Sequence, residues 1–381
     1  MAEIQGRCSH RAEQVTADHA GRRAPCVHWR WGGLRRRVWA HGGRVFEFAD
    51  ERQDNAFHAN AEQGRRHMSK TKILIDCDPG HDDAVAILFA AQHLDVIGIT
   101  TVHGNSTVEN TTRNALAITE LAGIDVPLAM GCAGPLTQRG VCASLVHGKG
   151  GLDGAELPEP KRQPLGTHAV DFIIDMASQH RGELVLAAIG PETNVALALR
   201  REPRLAGWLR EITVMGGSTG AGNITAAAEF NIYCDPEAAW AVFNSGAPIR
   251  MVGLNVTRRT GFDQNDIDAM KASGRKVASV IADLMAFYLA RQRERFGLDV
   301  APMHDVCAIV PYADPALLEY RHTRVEVELA GTHTRGMTLC DLRSVRLSAA
   351  GDQPAPNALV AIDANCQALI GRVIETLFSY D

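Results

Sequence analysis

From Lys72 to the C-terminus, short apolar β-branched runs alternate with longer stretches whose apolar residues recur at helical spacing. Ile73-Leu74-Ile75 reads as a buried strand ended by Pro79-Gly80, and residues 84–91 continue as a helix. Residues 95–103 form a second predicted strand, residues 107–121 a helix with Gly123 as its stop, and residues 126–130 a third strand. The rhythm continues through a helix over 168–180, a strand over 183–189, a helix capped by Thr193, and a strand over 211–215. Asp235-Pro236-Glu237 opens another helix, residues 249–254 read as a strand, and residues 263–296 are mostly helical. Strands over 324–329, 337–342 and 358–362 precede a terminal helix over 366–378. Strand–helix–strand alternation of this kind predicts an α/β fold: a single-domain, open, mostly parallel, doubly wound sheet. Ligands of such sheets gather beyond the carboxyl ends of the strands.

The pattern fails in residues 1–67, which are rich in Arg, His, Gly and Trp and contain no lysine. Met68 stands directly before the first regular strand, so the folded domain is expected over 68–381 and residues 1–67 as a disordered or non-native N-terminal extension. The chain is 46% hydrophobic with a net charge of -5, which argues against a nucleic-acid-binding surface. It has no apolar run near the roughly 20 residues that span a bilayer. Nine scattered cysteines without a C-x-x-C pair fit reduced thiols in a cytoplasmic protein.

Candidate chemistry concentrates after the first strand. Asp76, Asp78, Asp82 and Asp83 fall within eight positions. Residues two apart on a strand share a face, and Asp82 and Asp83 sit in the first turn of the next helix, so all four carboxylates are expected to converge. Four anions in one volume call for a hard divalent cation. Asn105 follows the second strand. The loop over 131–166 carries His147-Gly148-Lys149-Gly150-Gly151, which is either a phosphate-binding turn or a mobile flap over a pocket. Glu229 and Asn231 flank Phe230 and, if extended, point to one side, where with Asn223 they suit a vicinal diol. His304-Asp305 pairs a proton-transfer group with a further candidate metal ligand.

These motifs together resemble the inosine–uridine-preferring nucleoside hydrolase family. The resemblance rests on Asp76-Cys-Asp-Pro-Gly-His-Asp-Asp83, Gly104-Asn105, His147-Gly148 and Gly190-Pro-Glu-Thr-Asn194. It continues through Met215-Gly-Gly217, Ala228-Glu-Phe-Asn231, Asp235-Pro-Glu-Ala238 and His304-Asp305. It implies hydrolysis of ribonucleosides to free base and ribose. It also implies a calcium ion on Asp78, Asp83, Asp305 and the Ile189 carbonyl, with Asp78 as general base. Asp82, Asn105, Met215, Asn223, Glu229, Asn231 and Asp305 would bind substrate, with Asp76 orienting its neighbours. His304 would assist the leaving base and His147 would be a second candidate acid. A homodimer or homotetramer is the expected assembly. Two features depart from the family pattern: the Gly-Lys-Gly-Gly loop after His147, and the basic segment Asn255-Val-Thr-Arg-Arg-Thr260 near the base-binding end. The competing readings are a catalytically inactive nucleoside-binding protein on the same fold and a haloacid-dehalogenase-type phosphatase, in which the first Asp of D-x-D is the nucleophile.

Overall fold

The first strand, β1 (Lys72–Cys77), is apolar on both sides because both of its faces are covered. Ile73 and Ile75 enter one core cluster and Leu74 the other. The structure is a computed structural model that describes residues 70–343 and 355–380, plus three strands nearer the N-terminus. Besides β1, the main sheet contains β2 (Asp95–Thr101), β3 (Leu128–Met130), β4 (Val185–Ala188), β5 (Glu211–Met215), β6 (Ile249–Val252), β7 (Leu318–Thr323) and β8 (Ala358–Ala364). Their order is β3-β2-β1-β4-β5-β6-β8-β7, parallel throughout except that β7 runs antiparallel to β8 at the edge.

The α/β expectation holds, and the order 3-2-1-4-5-6 adds what the sequence pattern cannot give. Connections leave β1 on one side for β2 and β3, and return on its other side as β4. That reversal between β1 and β4 is where open α/β sheets bind their ligands.

One face of the sheet carries α1 (His81–His93), α2 (Val108–Leu121) and elements introduced below; the other carries α4 (Ala169–Gln179), α5 (Thr193–Arg201) and α7 (Pro236–Phe243). The short helix α3 (Ser144–His147) interrupts the long loop after β3, and α6 (Phe230–Cys234) precedes α7. On the first face lie α8 (Leu254–Thr257), α9 (Gln264–Ala272), α10 (Lys276–Phe296), α11 (Val306–Ile309) and α12 (Cys366–Ser379).

Several local expectations change. Strand β7 went unread because its Leu-Glu-Tyr-Arg-His-Thr sequence is polar; as an edge strand it buries only its two end residues. The segments read as strands near 325 and 339 pair with each other, Val325–Val327 with Thr338–Cys340, and not with the main sheet. Thr193 is the first helical residue of α5, with Glu192 at its cap, and its hydroxyl donates to Asp235 Oδ2 at 2.7 Å. Separately from this unit, Val27–Trp31, Leu34–His41 and Arg44–Ala49 form an antiparallel sheet. The expectation for residues 1–67 otherwise falls outside the described residues.

Asp76 departs most from expectation. Strand alternation ends at Cys77, so Asp76 and Asp78 part ways. Asp76 Oδ1 accepts hydrogen bonds from Thr100 Oγ1 at 2.5 Å and Asn194 Nδ2 at 2.8 Å, deep in the sheet. Burial holds its carboxyl at a pKa of about 7. Asn194 also donates to the Thr101 carbonyl at 2.9 Å and accepts from the Cys132 amide at 2.9 Å, so it ties β1, β2 and the loop after β3 together. Asn194→Ala removes three hydrogen bonds from this network, for an expected loss of roughly 3 kcal/mol. The midpoint of urea unfolding is the check, and an unchanged midpoint would contradict this account.

Candidate active site

The floor of the site is the turn between β1 and α1. Gly80 stands at the N-cap of α1, and Asp83 in the first turn reaches back to it: the Gly80 amide donates to Asp83 Oδ2 at 2.9 Å, and the Asp78 amide donates to Asp83 Oδ1 at 3.2 Å. Asp78 Oδ2 accepts the Asn105 amide at 2.7 Å, and Asn105 Nδ2 reaches the Asp78 carbonyl at 3.1 Å and Asp83 Oδ2 at 3.2 Å. So close an approach needs Gly104, whose φ is +152° and where a Cβ would lie 2.1 Å from Asp78 Oδ2. Asp82 Oδ2 accepts the amide of His304 at 3.2 Å across 222 residues of chain, which brings Asp305 over the same floor.

Asp82, Asp83 and Asp305 each offer an oxygen, all within 4.8 Å of one another and buried. Burial raises all three carboxyls, Asp82 to about 7, and the neighbouring carboxylates push Asp305 further up. Such crowding is relieved by a cation, and an all-oxygen donor set suits a hard divalent ion. The tight group differs from the expected one, since Asp82 replaces Asp78. Asp78 sits beside it, and a Cβ on Gly190 would lie 2.7 Å from Asp78 Oδ1. The Ile189 carbonyl, the expected backbone ligand, accepts Asn231 Nδ2 at 2.9 Å.

One wall comes from the segment before α7. Glu229 and Asn231 are not on an extended strand; Glu229 caps α6, taking the amides of Asn231 at 3.0 Å and Ile232 at 3.2 Å, and also that of Gly217 at 3.0 Å. Asn231 Nδ2 further donates to the Met215 carbonyl at 3.0 Å. Asn223 Oδ1 is buried without a partner among the described residues. Glu229, Asn231, Met215 and Asn223 all line the same cavity as Asp78, Asp82, Asn105, Ile189, His147, His304 and Asp305. Asp76 does not, which removes the nucleophile that the phosphatase reading requires.

The two histidines are anchored by hydrogen bonds. His304 Nδ1 lies 2.7 Å from Thr257 Oγ1. Burial, reinforced by the nearby Arg258 charge, lowers its pKa to about 4. His81 Nε2 lies 2.8 Å from the Asp153 carbonyl, which requires a proton on Nε2. His147 Nδ1 lies 2.9 Å from His81 Nδ1 and accepts the His81 backbone N–H at 3.4 Å, which holds the ring over the start of α1. His147 stacks on Tyr288, with ring centroids 5.2 Å apart.

The glycine-rich loop is not a phosphate-binding turn, and it carries His147 to the cavity lining. Its Lys149 and Gly150 amides donate to Asp153 at 3.0 and 3.1 Å, so an internal carboxylate fills the position a phosphate would take. Asn114 Nδ2 holds the Gly150 carbonyl at 2.9 Å and the Pro79 carbonyl at 3.0 Å, linking the loop to the turn after β1.

The cavity measures about 610 Å³, room for a nucleoside. Sequence reasoning missed the α10 face, Tyr288, Gln292, Arg295 and Phe296, while Arg258, from the basic segment after β6, also lines the cavity. The i, i+4, i+7 spacing along α10 was the available signal.

Residues 73–370 match the model of the inosine-uridine preferring nucleoside hydrolases. The chain is 41% identical over 312 residues to the pyrimidine-specific ribonucleoside hydrolase RihA of Photobacterium profundum, covering 81% of this chain and 99% of the relative. It is 41% identical over 276 residues to the pyrimidine-specific ribonucleoside hydrolase RihB of Escherichia coli, covering 72% and 88%. Among solved structures, the plant nucleoside hydrolase PpNRh1 superposes with a TM-score of 0.76 at 34% identity, covering 81% of this chain and 99% of its own. A purine-preferring ribonucleoside hydrolase from Gardnerella vaginalis gives 0.75 at 31%, covering 81% and 98%. The convergence of these residues in one cavity and the matches across nearly the whole described unit agree: the chain belongs to the inosine-uridine preferring nucleoside hydrolase family, the N-glycosidases of ribonucleosides.

Proposed function

We propose that this enzyme hydrolyses the N-glycosidic bond of pyrimidine ribonucleosides, releasing free base and ribose. The observation that carries the reading is one cavity with buried carboxylates on its floor and a hydroxyl-binding wall around the unpartnered Asn223 Oδ1. The names of the two relatives at 41% identity favour pyrimidines. Calcium is the proposed cofactor, held by Asp82, Asp83 and Asp305 with Asp78 and the Ile189 carbonyl as further ligands, where it supplies Lewis acidity and a water of lowered pKa.

The chain's own groups divide the remaining work. Asp78 accepts the proton of the water that attacks the anomeric carbon. Asp82, Asn105, Asp305, Asn223, Glu229 and Asn231 hold the ribose hydroxyls, and Met215 packs beneath them. Cleavage builds positive charge on the sugar, which the carboxylate floor stabilises more strongly than it does the neutral substrate. His304, neutral at pH 7 and oriented by Thr257, offers Nε2–H to the departing base as a hydrogen-bond donor rather than as an imidazolium. His147 packs above it on Tyr288. The seven described cysteines are all free, which supports a cytoplasmic location, and a homodimer or homotetramer is the proposed assembly. Among the described residues no helix is long and apolar enough to cross a membrane.

Incubation with uridine, cytidine and inosine in separate reactions should release ribose, fastest from the pyrimidines; no ribose from any of them in the presence of calcium would defeat the reading. Asp78→Ala should lower kcat by about 10²–10⁴-fold, the range of a lost general base. Calcium at a hundredfold excess over its Kd should stabilise the fold by about 2.7 kcal/mol, seen as a rise in Tm that EGTA reverses. Asp83→Asn should abolish that rise; a rise that persists unchanged would move the ion elsewhere.

A further inference from the structure

The cavity is electrically polarised. Its carboxylates, Asp78, Asp82, Glu229 and Asp305, are all buried and form the floor and ribose wall. Its two permanent cations, Arg258 and Arg295, are the less buried ones, on the segment after β6 and in the last turn of α10. Among the described residues neither guanidinium pairs with a carboxylate. Arg258 donates one N–H to the Gly222 carbonyl, next to Asn223, which fixes its position and leaves the rest of its fork open. The adjacent Arg259 behaves differently: it pairs with Asp363, away from the cavity lining. The basic segment that breaks the expected pattern thus splits into one surface ion pair and one uncompensated charge on the cavity wall.

That polarity has the sign of the reaction. When the C–N bond breaks, its electron pair goes to the base, while the sugar becomes positive. In a pyrimidine the pair spreads from N1 onto the C2 carbonyl oxygen, which becomes the strong acceptor on that edge of the ring. A guanidinium fork can give two N–H groups to such an oxygen and stays charged at every working pH. We propose that Arg258 is a catalytic residue that binds the base through this edge and stabilises the negative charge it acquires, with Arg295 reinforcing the field at the mouth. Water supplies oxygen to the anomeric carbon and its proton goes to Asp78. The base leaves as an anion held by Arg258, which remains protonated, and the base takes its proton from solvent on release. The inference rests on the hydrolase reading and deepens it, since it names the feature of the base the site selects: a carbonyl beside the glycosidic nitrogen.

The test uses Arg258→Gln, which keeps a donor for Gly222 but removes the charge, and Arg258→Lys, which keeps the charge but loses the fork. Uridine, 5-fluorouridine and 4-nitrophenyl β-ribofuranoside are the substrates; the last has a leaving group that needs no stabilisation. Arg258→Gln should lower kcat on uridine by about 10²–10³-fold, as for loss of an oxyanion donor. The loss on 5-fluorouridine, whose anion is more stable, should be smaller, and the aryl riboside should lose less than about fivefold. Arg258→Lys should fall between wild type and Arg258→Gln on uridine and leave the aryl riboside unchanged. Equal losses on all three substrates, or a change in KM alone, would assign Arg258 a merely structural or binding role and overturn the proposal. If Arg258→Gln does not fold, as judged by circular dichroism, the Arg258→Lys contrast between uridine and the aryl riboside decides alone. Wild-type enzyme that releases no ribose from uridine refutes the hydrolase reading itself, an outcome separate from any difference between variants.

Discussion

Three carboxylates that cannot all stay charged without compensation are the constraint around which the structure is built. Asp82, Asp83 and Asp305 meet within 4.8 Å, in a place where burial raises every one of them and where their mutual repulsion adds to the cost. The protein offsets part of this with amides: Gly80 and Asp78 on Asp83, His304 on Asp82, and the N-terminal end of α1 beneath. None of these is a full positive charge, so the remainder falls to a divalent ion. The segment that brings Asp305 over the floor from 222 residues away gives its His304 amide to Asp82, so a cation on these carboxylates would also hold two distant parts of the chain together.

The sheet explains why the constraint can be met at all. The β1/β4 switch opens a crevice whose two sides come from chain segments far apart in sequence, and Asp78 and Gly190 face each other across it. A buried parallel strand gives the site a rigid base, and β1 itself is held by Asp76, Thr100 and Asn194 on the opposite side from the cavity. The two acids of the D-x-D pair therefore differ in place: Asp76 locks the sheet, and Asp78 faces the cavity.

Most of this was legible in the chain, for identifiable reasons. Apolar runs gave β1, β2, β5 and β6 because parallel strands are covered on both faces, and β7 escaped because an edge strand needs little apolar surface. The metal-site acids were readable because charge repulsion is a local property of the sequence. Their exact grouping was not, since Asp82 joins Asp305 only through the folded chain. Glu229 and Asn231 do line the cavity, but through a different geometry from the one expected: a helix cap aims them, not strand alternation. The glycine-rich loop misled because its amides looked free, whereas Asp153 four residues on already occupies them. Arg258 was visible as excess charge, but its neighbour Arg259 was equally so, and only the fold tells the paired one from the unpaired one.

The division of labour between rigid and variable elements follows from the charges. Ribose is common to all substrates of such an enzyme, and the groups proposed to hold it sit on strand ends and helix caps whose backbone donors are already committed to one another. The base is what varies, and the residues on its side come from α3, α10 and the segment after β6, where one side chain can change without disturbing the floor. Fixing the histidines as neutral donors and acceptors through Thr257, His81 and Asp153 fits this division. In the proposed reaction they would recognise shape and hydrogen-bonding pattern, and the carboxylates would bear the charge that forms on the sugar. The complementary charge on the base then has to be met from its own side of the cavity, where burial is shallower and a cation costs least to desolvate.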